Sequence, residues 1–214
     1  MEESTSKEKV LKKVRDALIN ITDNPYPVVD FEVSVFQEIN ESLDINFARE
    51  FTQAGGKFVY CENMEELASN LSLIGQGNQW DEVYCIDPQL QDVLDKADIP
   101  YGSDGESFHS LKVGVTRCEY LIARLGSIMI SSQQISGRRL NVYPEIHVVI
   151  AFSSQLVPDL KQALSDIKLK YCTRIPSLIS VITGPSRTAD IEKTLVMGAH
   201  GPSELFVFLV EDSV

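Results

Sequence analysis

The chain has 214 residues, 43% hydrophobic and 23% charged, with a formal net charge of −12 at pH 7. That length supports one sizeable core with at most a small accessory lobe, and the negative balance argues against nucleic acid, whose phosphates need a positive surface. No apolar run approaches the ~20 residues of a membrane span, and the polar start MEESTSKEKV lacks the apolar core of a secretion signal.

The four cysteines, Cys61, Cys85, Cys118 and Cys172, are scattered and form no C-x-x-C pair. Zinc and iron–sulfur sites show such clustering, so no metal and no cofactor is expected. Buried reduced thiols fit a cytoplasmic location.

Taken in order, residues 7–21 read as an amphipathic helix, with Val10, Leu11, Val14, Ala17, Leu18 and Ile21 at helical spacing. This helix packs either on its own core or on a partner. Pro25 and Pro27 mark a linker over 22–30, so the expected organisation is an N-terminal helix and linker, 1–30, followed by one α/β domain, 31–214. A helix over 45–54 ends at Gly55-Gly56, and a strand follows over 57–61. Asn63 is placed to cap a helix over 64–74, with Glu65 and Glu66 in its first turn. A strand over 82–86, a helix over 88–97 and a loop over 100–107 come next. Strand–helix–strand–helix at this spacing is the pattern of a parallel sheet.

The middle changes character. After a short strand over 112–115, residues 119–132 give two apolar runs split by Leu125-Gly126. This predicts a hairpin with Gly126 in the turn; a helix over 120–125 is the alternative. Arg138 and Arg139 precede Asn141-Val142-Tyr143-Pro144, then a buried strand over 147–151 and a helix over 157–169. A strand over 178–182 stops at Thr183-Gly184-Pro185, a helix-prone run with Asp190, Glu192 and Lys193 follows, and the loop Gly198-Ala199-His200-Gly201-Pro202 leads to a last strand over 205–210. Two Gly/Pro-punctuated loops thus flank a short helix, and in an open α/β sheet ligands bind at the carboxyl ends of strands.

Each candidate group has a functional and a structural reading. The turn at Ser186, Arg187 and Thr188 offers helix-start N–H groups, hydroxyls and a guanidinium to an anion. Alternatively Ser186 or Thr188 caps the helix and Arg187 pairs with an acid, while Asp190 and Glu192 repel anions. His200 is an acid/base group or a loop histidine bonded to a carbonyl. His147 opens an apolar strand, where it satisfies backbone or serves a site; His109 lies in a polar loop and supports no special claim. Glu119 and Arg124, an odd separation of five, fall on opposite faces of a strand, with the surface as their default. Ser127 lacks a G-x-S-x-G context, and neither a Walker loop nor G-x-G-x-x-G occurs.

The run TGPSRTADIE…GAHGP, 183–202, with the strand over 204–210, resembles the signature end of LUD-domain proteins, specifically the lactate-utilization protein C family. CEYLIARLGS, 118–127, is similar to that family's hairpin segment, and YPEIHVVI, 143–150, to its Pro–His strand. The likeness covers the C-terminal half well and the N-terminal half in pattern only. One departure is Arg124-Leu125, where members often carry Glu-Thr ahead of the hairpin glycine, so the local charge is reversed. The resemblance implies a three-layer α/β/α sandwich on a mainly parallel sheet, like sugar-phosphate isomerases and CoA transferases. It adds the hairpin residues Arg124, Gly126 and Ser127, with His147 and Gly201, to Thr183, Gly184, Ser186, Arg187 and Thr188 as candidate ligand-binding residues. His200 and Glu119 are the candidate catalytic groups. It also implies oxidation of L-lactate to pyruvate beside partner proteins that include iron–sulfur subunits, this chain being an accessory subunit. The alternative is a small-molecule enzyme or sensor that holds a sugar phosphate, CoA ester or nucleotide at the 183–188 turn.

Overall fold

The strand–helix pattern of the first half closes into a six-stranded sheet in which every pairing is parallel. The computed structural model describes residues 5–19, 28, 36, 38–81, 83–103, 111–137, 139–191, 194–198 and 201–212. The chain divides into two compact units, Met1–Glu38 and Ile39–Val214. The first holds α1 (Ser6–Ile19), the helix that the apolar spacing predicts. Its start is a reciprocal cap: Thr5 N–H donates to Glu8 Oε2 at 2.8 Å and Glu8 N–H to Thr5 Oγ1 at 3.4 Å. Apart from Val28, the expected linker over 22–30 lies outside the described residues.

The second unit runs α2 (Leu43–Gln53), β1 (Lys57–Cys61), α3 (Met64–Gly77), β2 (Val83–Tyr84), α4 (Pro88–Lys96), β3 (Tyr101–Gly102), β4 (Val113–Arg117), β5 (Tyr120–Ile122), β6 (Ser127–Ser131), β7 (Ile146–Phe152), β8 (Leu156–Val157), α5 (Leu160–Lys170), β9 (Ile179–Ile182), β10 (Arg187–Ile191), β11 (Thr194–Met197) and β12 (Glu204–Val210). The parallel sheet has the order β1-β12-β7-β4-β2-β3, and a smaller sheet the order β8-β5-β6-β9. Asn63 caps α3 as expected, its Oδ1 accepting from the N–H groups of Glu65 at 3.0 Å and Glu66 at 2.9 Å. Pro88 sits in the first turn of α4 behind the cap Asp87.

Strict alternation along the central strands builds the layers. Phe206, Phe208 and Val210 of β12, with Val148 and Ile150 of β7, face α3 and α4. Leu205, Val207 and Leu209, with Val149 and Ala151, face Phe47 and Phe51 of α2 and Leu121, Ile128 and Ile130 of the smaller sheet. That sheet's outer face, with Ile122 and Met129, packs on Ala163 and Ile167 of α5. The result is a three-layer α/β organisation in which one outer layer is built from α2 and the second sheet, with α5 packed behind that sheet.

Several expectations change. The 119–132 segment is the predicted hairpin, with Gly126 left-handed at φ 55°, and a single 3-10 turn at Ala123–Leu125 is all that remains of the helical alternative. The helix expected after Thr188 does not form. β10 and β11 pair antiparallel there, Arg187 opposite Met197 and Thr188 opposite Val196. The β-branched Thr188, Ile191, Thr194 and Val196 favour the pleat, and the acidic pair that looked like a helix start does not override them. α3 runs on through Gly75 to Gly77, β2 is only Val83–Tyr84, and α5 begins at Leu160, because Asp159 rather than Val157 supplies its cap. Among the described residues no helix is long and apolar enough to cross a membrane.

Gly126 is the least replaceable residue of the hairpin. A Cβ there would collide with the backbone of Glu50 and Phe51 in α2, and its φ disfavours any L side chain. Gly126→Ala is expected to cost roughly 2 kcal/mol or more of unfolding free energy, read as a lowered denaturant midpoint in urea melts.

Candidate functional site

The predicted residues gather in two places that share one turn. The first is the carboxyl end of α2. Gly184, left-handed at φ 80°, lies so close to Ala54 that a Cβ would meet its carbonyl oxygen. Arg187 Nη2 donates to that same carbonyl. The guanidinium therefore satisfies an open helix-end carbonyl and complements the negative end of the dipole, rather than pairing with an acid as the structural reading expected. Ser127 Oγ and Thr183 Oγ1 are hydrogen-bonded at 2.7 Å, joining the β5–β6 turn to the turn after β9. Because the chain beyond Thr188 is a strand, no helix start lies behind this turn. The main-chain N–H of Ser186 is already used, donating to Pro202 O at 2.8 Å.

The second place is a cavity of about 360 Å³ between the two sheets. His147, Gly184, Ser186 and Gly201, four of the predicted residues, lie in its wall. The two loops thought to flank a helix touch each other at its rim: besides the Ser186–Pro202 bond, Gly198 N–H donates to Ser186 O at 3.0 Å, and a Cβ on Gly201 would lie 3.2 Å from Ser186 Cβ. The cavity opens at the amino ends of β7 and β12, not at the carboxyl ends that the sheet rule favours. The reason is topological: the turn at 183–188 follows β9, which belongs to the smaller sheet.

His147 is fully buried in central β7, flanked by Gly114 of β4 and Leu205 of β12. Its Nε2 lies 2.8 Å from Thr116 Oγ1, and burial pushes its pKa down to about 4, so the imidazole is neutral at pH 7. Its Nδ1 has no hydrogen-bond partner among the described residues. Neither has Oδ1 of Asn141, another buried wall residue, whose amide donates to Gly137 O at 3.2 Å. The rest of the wall is mainly aliphatic, including Ile130, Leu178, Ile182 and Leu205. A largely apolar pocket with a few fixed polar groups is the usual form of a small-molecule site. Sequence reasoning missed Asn141, since a lone Asn in a polar stretch carries no spacing signal.

Glu119, expected at the surface, is buried elsewhere. Its carboxylate accepts from Ser131 Oγ at 2.5 Å, Lys170 Nζ at 2.8 Å and Tyr171 Oη at 2.9 Å. These donors come from 12 to 52 residues away, beyond any local pattern. Arg124 is half-buried in the 3-10 turn. The backbone of Thr188 is in β10. His200, with His109, Arg138, Glu192 and Lys193, lies outside the described residues. Burial raises the Cys85 thiol to about 11 and the Cys118 thiol to about 12, which keeps both protonated. No three His, Cys, Asp or Glu side chains converge among the described residues.

Comparison with known proteins bears on the family and the fold of the chain. The family model of the LUD domain matches residues 46–210. Lactate utilization protein C of Halalkalibacterium halodurans is 36% identical over 109 residues, 50% of this chain and 47% of that protein. The protein of the same name from Bacillus subtilis is 37% identical over 102 residues, 47% of this chain and 42% of that one. The chain thus matches rather less than half the length of these curated relatives. A solved structure, a DUF162 family protein from Deinococcus radiodurans, superposes with a TM-score of 0.57 at 16% identity, over 78% of this chain and 96% of that one. At that identity the likeness speaks for the fold alone.

His147 gives this site a pH signature. Its folded pKa of about 4 lies below its ordinary value of 6.5. The unfolded chain takes up the proton first, so its contribution is complete above pH 6.5 and is lost as pH falls toward 4, by at most roughly 3 kcal/mol. Urea melts of wild type and His147→Phe at pH 7 and pH 4.5 are expected to show a smaller acid loss in the variant.

Proposed function

The chain belongs to the LUD-domain family, and from that premise we propose that it is an accessory component of L-lactate oxidation to pyruvate, acting in the cytoplasm beside iron–sulfur partner proteins. The observation that carries this reading is the match, across about half the chain, to proteins named Lactate utilization protein C. The side-chain chemistry supports the division of labour. Cys61, Cys85 and Cys118 are separately buried, and burial raises the pKa of each. A cluster needs several thiolates brought together, whereas among the described residues no three His, Cys, Asp or Glu side chains converge and the fourth cysteine, Cys172, is exposed. The reading therefore assigns the electron-transfer centres to the partners. Within this chain it assigns small-molecule binding to the cavity walled by His147, Asn141, Gly184, Ser186 and Gly201. The neutral imidazole and the carboxamide orient a ligand there, and the aliphatic wall excludes water.

Deleting the gene is expected to abolish or strongly slow growth on L-lactate as sole carbon source and to spare growth on pyruvate. Restoring the wild-type chain is expected to restore growth. Undiminished growth of the deletion strain on L-lactate would remove this function.

A further inference from the structure

The wall of the cavity between the two sheets selects by charge. Ile130 and Leu205 are buried in it, Leu178 and Ile182 are half-buried, and Val142 and Val181 are 48% and 40% exposed. The wall is therefore aliphatic from its depth to its mouth. Its polar side chains are the hydroxyls of Ser131, Ser180 and Ser186, the carboxamide of Asn141 and the imidazole of His147, which burial keeps neutral at pH 7. Among the described wall residues there is no Asp, Glu, Lys or Arg.

The groups of the 183–188 turn that could receive an anion are engaged elsewhere. Arg187 donates to Ala54 O and is not among the described wall residues. Ser186 N–H donates to Pro202 O at 2.8 Å, and the strand β10, not a helix start, follows the turn. An anion entering the cavity would shed its water and meet neither a cation from the described wall nor a helix dipole. An unpaired charge is among the most costly groups to remove from water. The net charge of −12 adds to that barrier, because it lowers the concentration of anions near the protein.

We infer that the cavity binds an uncharged, mainly aliphatic small molecule, its chain against Ile130, Leu178, Ile182 and Leu205 and its polar part a neutral hydroxyl or amide. The inference rests on the reading of this cavity as a small-molecule site and adds the class of molecule. It keeps out the sugar phosphates, CoA esters and nucleotides expected at the 183–188 turn. It also keeps out L-lactate and pyruvate, which are anions at pH 7, and that fits an accessory component better than the oxidising subunit.

Three probes of one chain length test this: 1-hexanol, hexanamide and hexanoate, titrated into the purified chain at pH 7 and followed by calorimetry. Saturable binding of the alcohol and the amide is expected, with hexanoate weaker by roughly tenfold or more. Ser180→Phe, which adds a ring at a half-buried wall position of β9, is expected to weaken 1-hexanol by a similar factor. Should that change prevent folding, Val181→Phe at the exposed mouth decides in its place. Hexanoate binding as tight as that of 1-hexanol overturns the inference, and so does 1-hexanol binding that the folded variant leaves unchanged. Tight hexanoate binding blocked by the variant keeps the cavity as a site and removes its charge selection. Failure of all three probes to bind removes the site itself. Growth of the deletion strain on L-lactate judges the metabolic role independently of either result.

Discussion

The apolar seam between the two sheets is the constraint on which the rest of the structure depends. Val149, Leu205, Val207 and Leu209 of the parallel sheet meet Leu121, Ile128 and Ile130 of the smaller one, and the stacked rings of Phe47 and Phe51, 5.3 Å apart, close its flank. Each such side chain contributes about 1.5–3 kcal/mol on burial, so the sheets cannot separate without losing a large part of the core. The seam also sets where recesses can exist. Ile130 and Leu205 belong to both the seam and the cavity wall, and Cys118 belongs to both the seam and a second, polar recess lined by Arg117, Glu119, Lys170 and Tyr171. The two recesses are the places where two twisted sheets stop filling the space between them.

Electrostatics distinguishes those recesses. Among the described residues His147 is buried without a charged partner, so desolvation acts alone and the ring stays neutral. Glu119 is buried with an ammonium and two hydroxyls, and that set of donors offsets the cost of removing a carboxylate from water. Removing any one donor would leave a sealed charge underserved.

Much of the fold was legible because its signals are local. The Asn63 cap, the glycine ends of α2 and the hairpin around Gly126 are read from adjacent residues, and the apolar runs of β7 and β12 declare buried parallel strands. The stretch after Thr188 misled because Asp190, Glu192 and Lys193 imitate the charge order of a helix, while the β-branched Thr188, Ile191, Thr194 and Val196 decide for two paired strands. Of the residues that wall the cavity, His147, Gly184, Ser186 and Gly201 were legible as loop and strand-end positions. The partners of buried Glu119 were not legible, because nothing at the end of α5 reports that Lys170 and Tyr171 meet a carboxylate 51 and 52 residues earlier in the chain.

β6 joins the two recesses through its pleat. Ile128 and Ile130 point into the seam, whereas Met129 packs toward α5 and Ser131, two residues on, gives its hydroxyl to Glu119. A one-residue slip of this strand would turn every one of these side chains to the other face. It would put an isoleucine beside the carboxylate and a serine hydroxyl into the apolar seam. The register is held by pairing with β5, Leu121 opposite Ile128 and Ile122 opposite Ser127, across the left-handed turn at Gly126. A glycine that touches neither recess therefore governs both: it permits the turn that sets the register, and the register assigns one face of β6 to the seam and the other to Glu119.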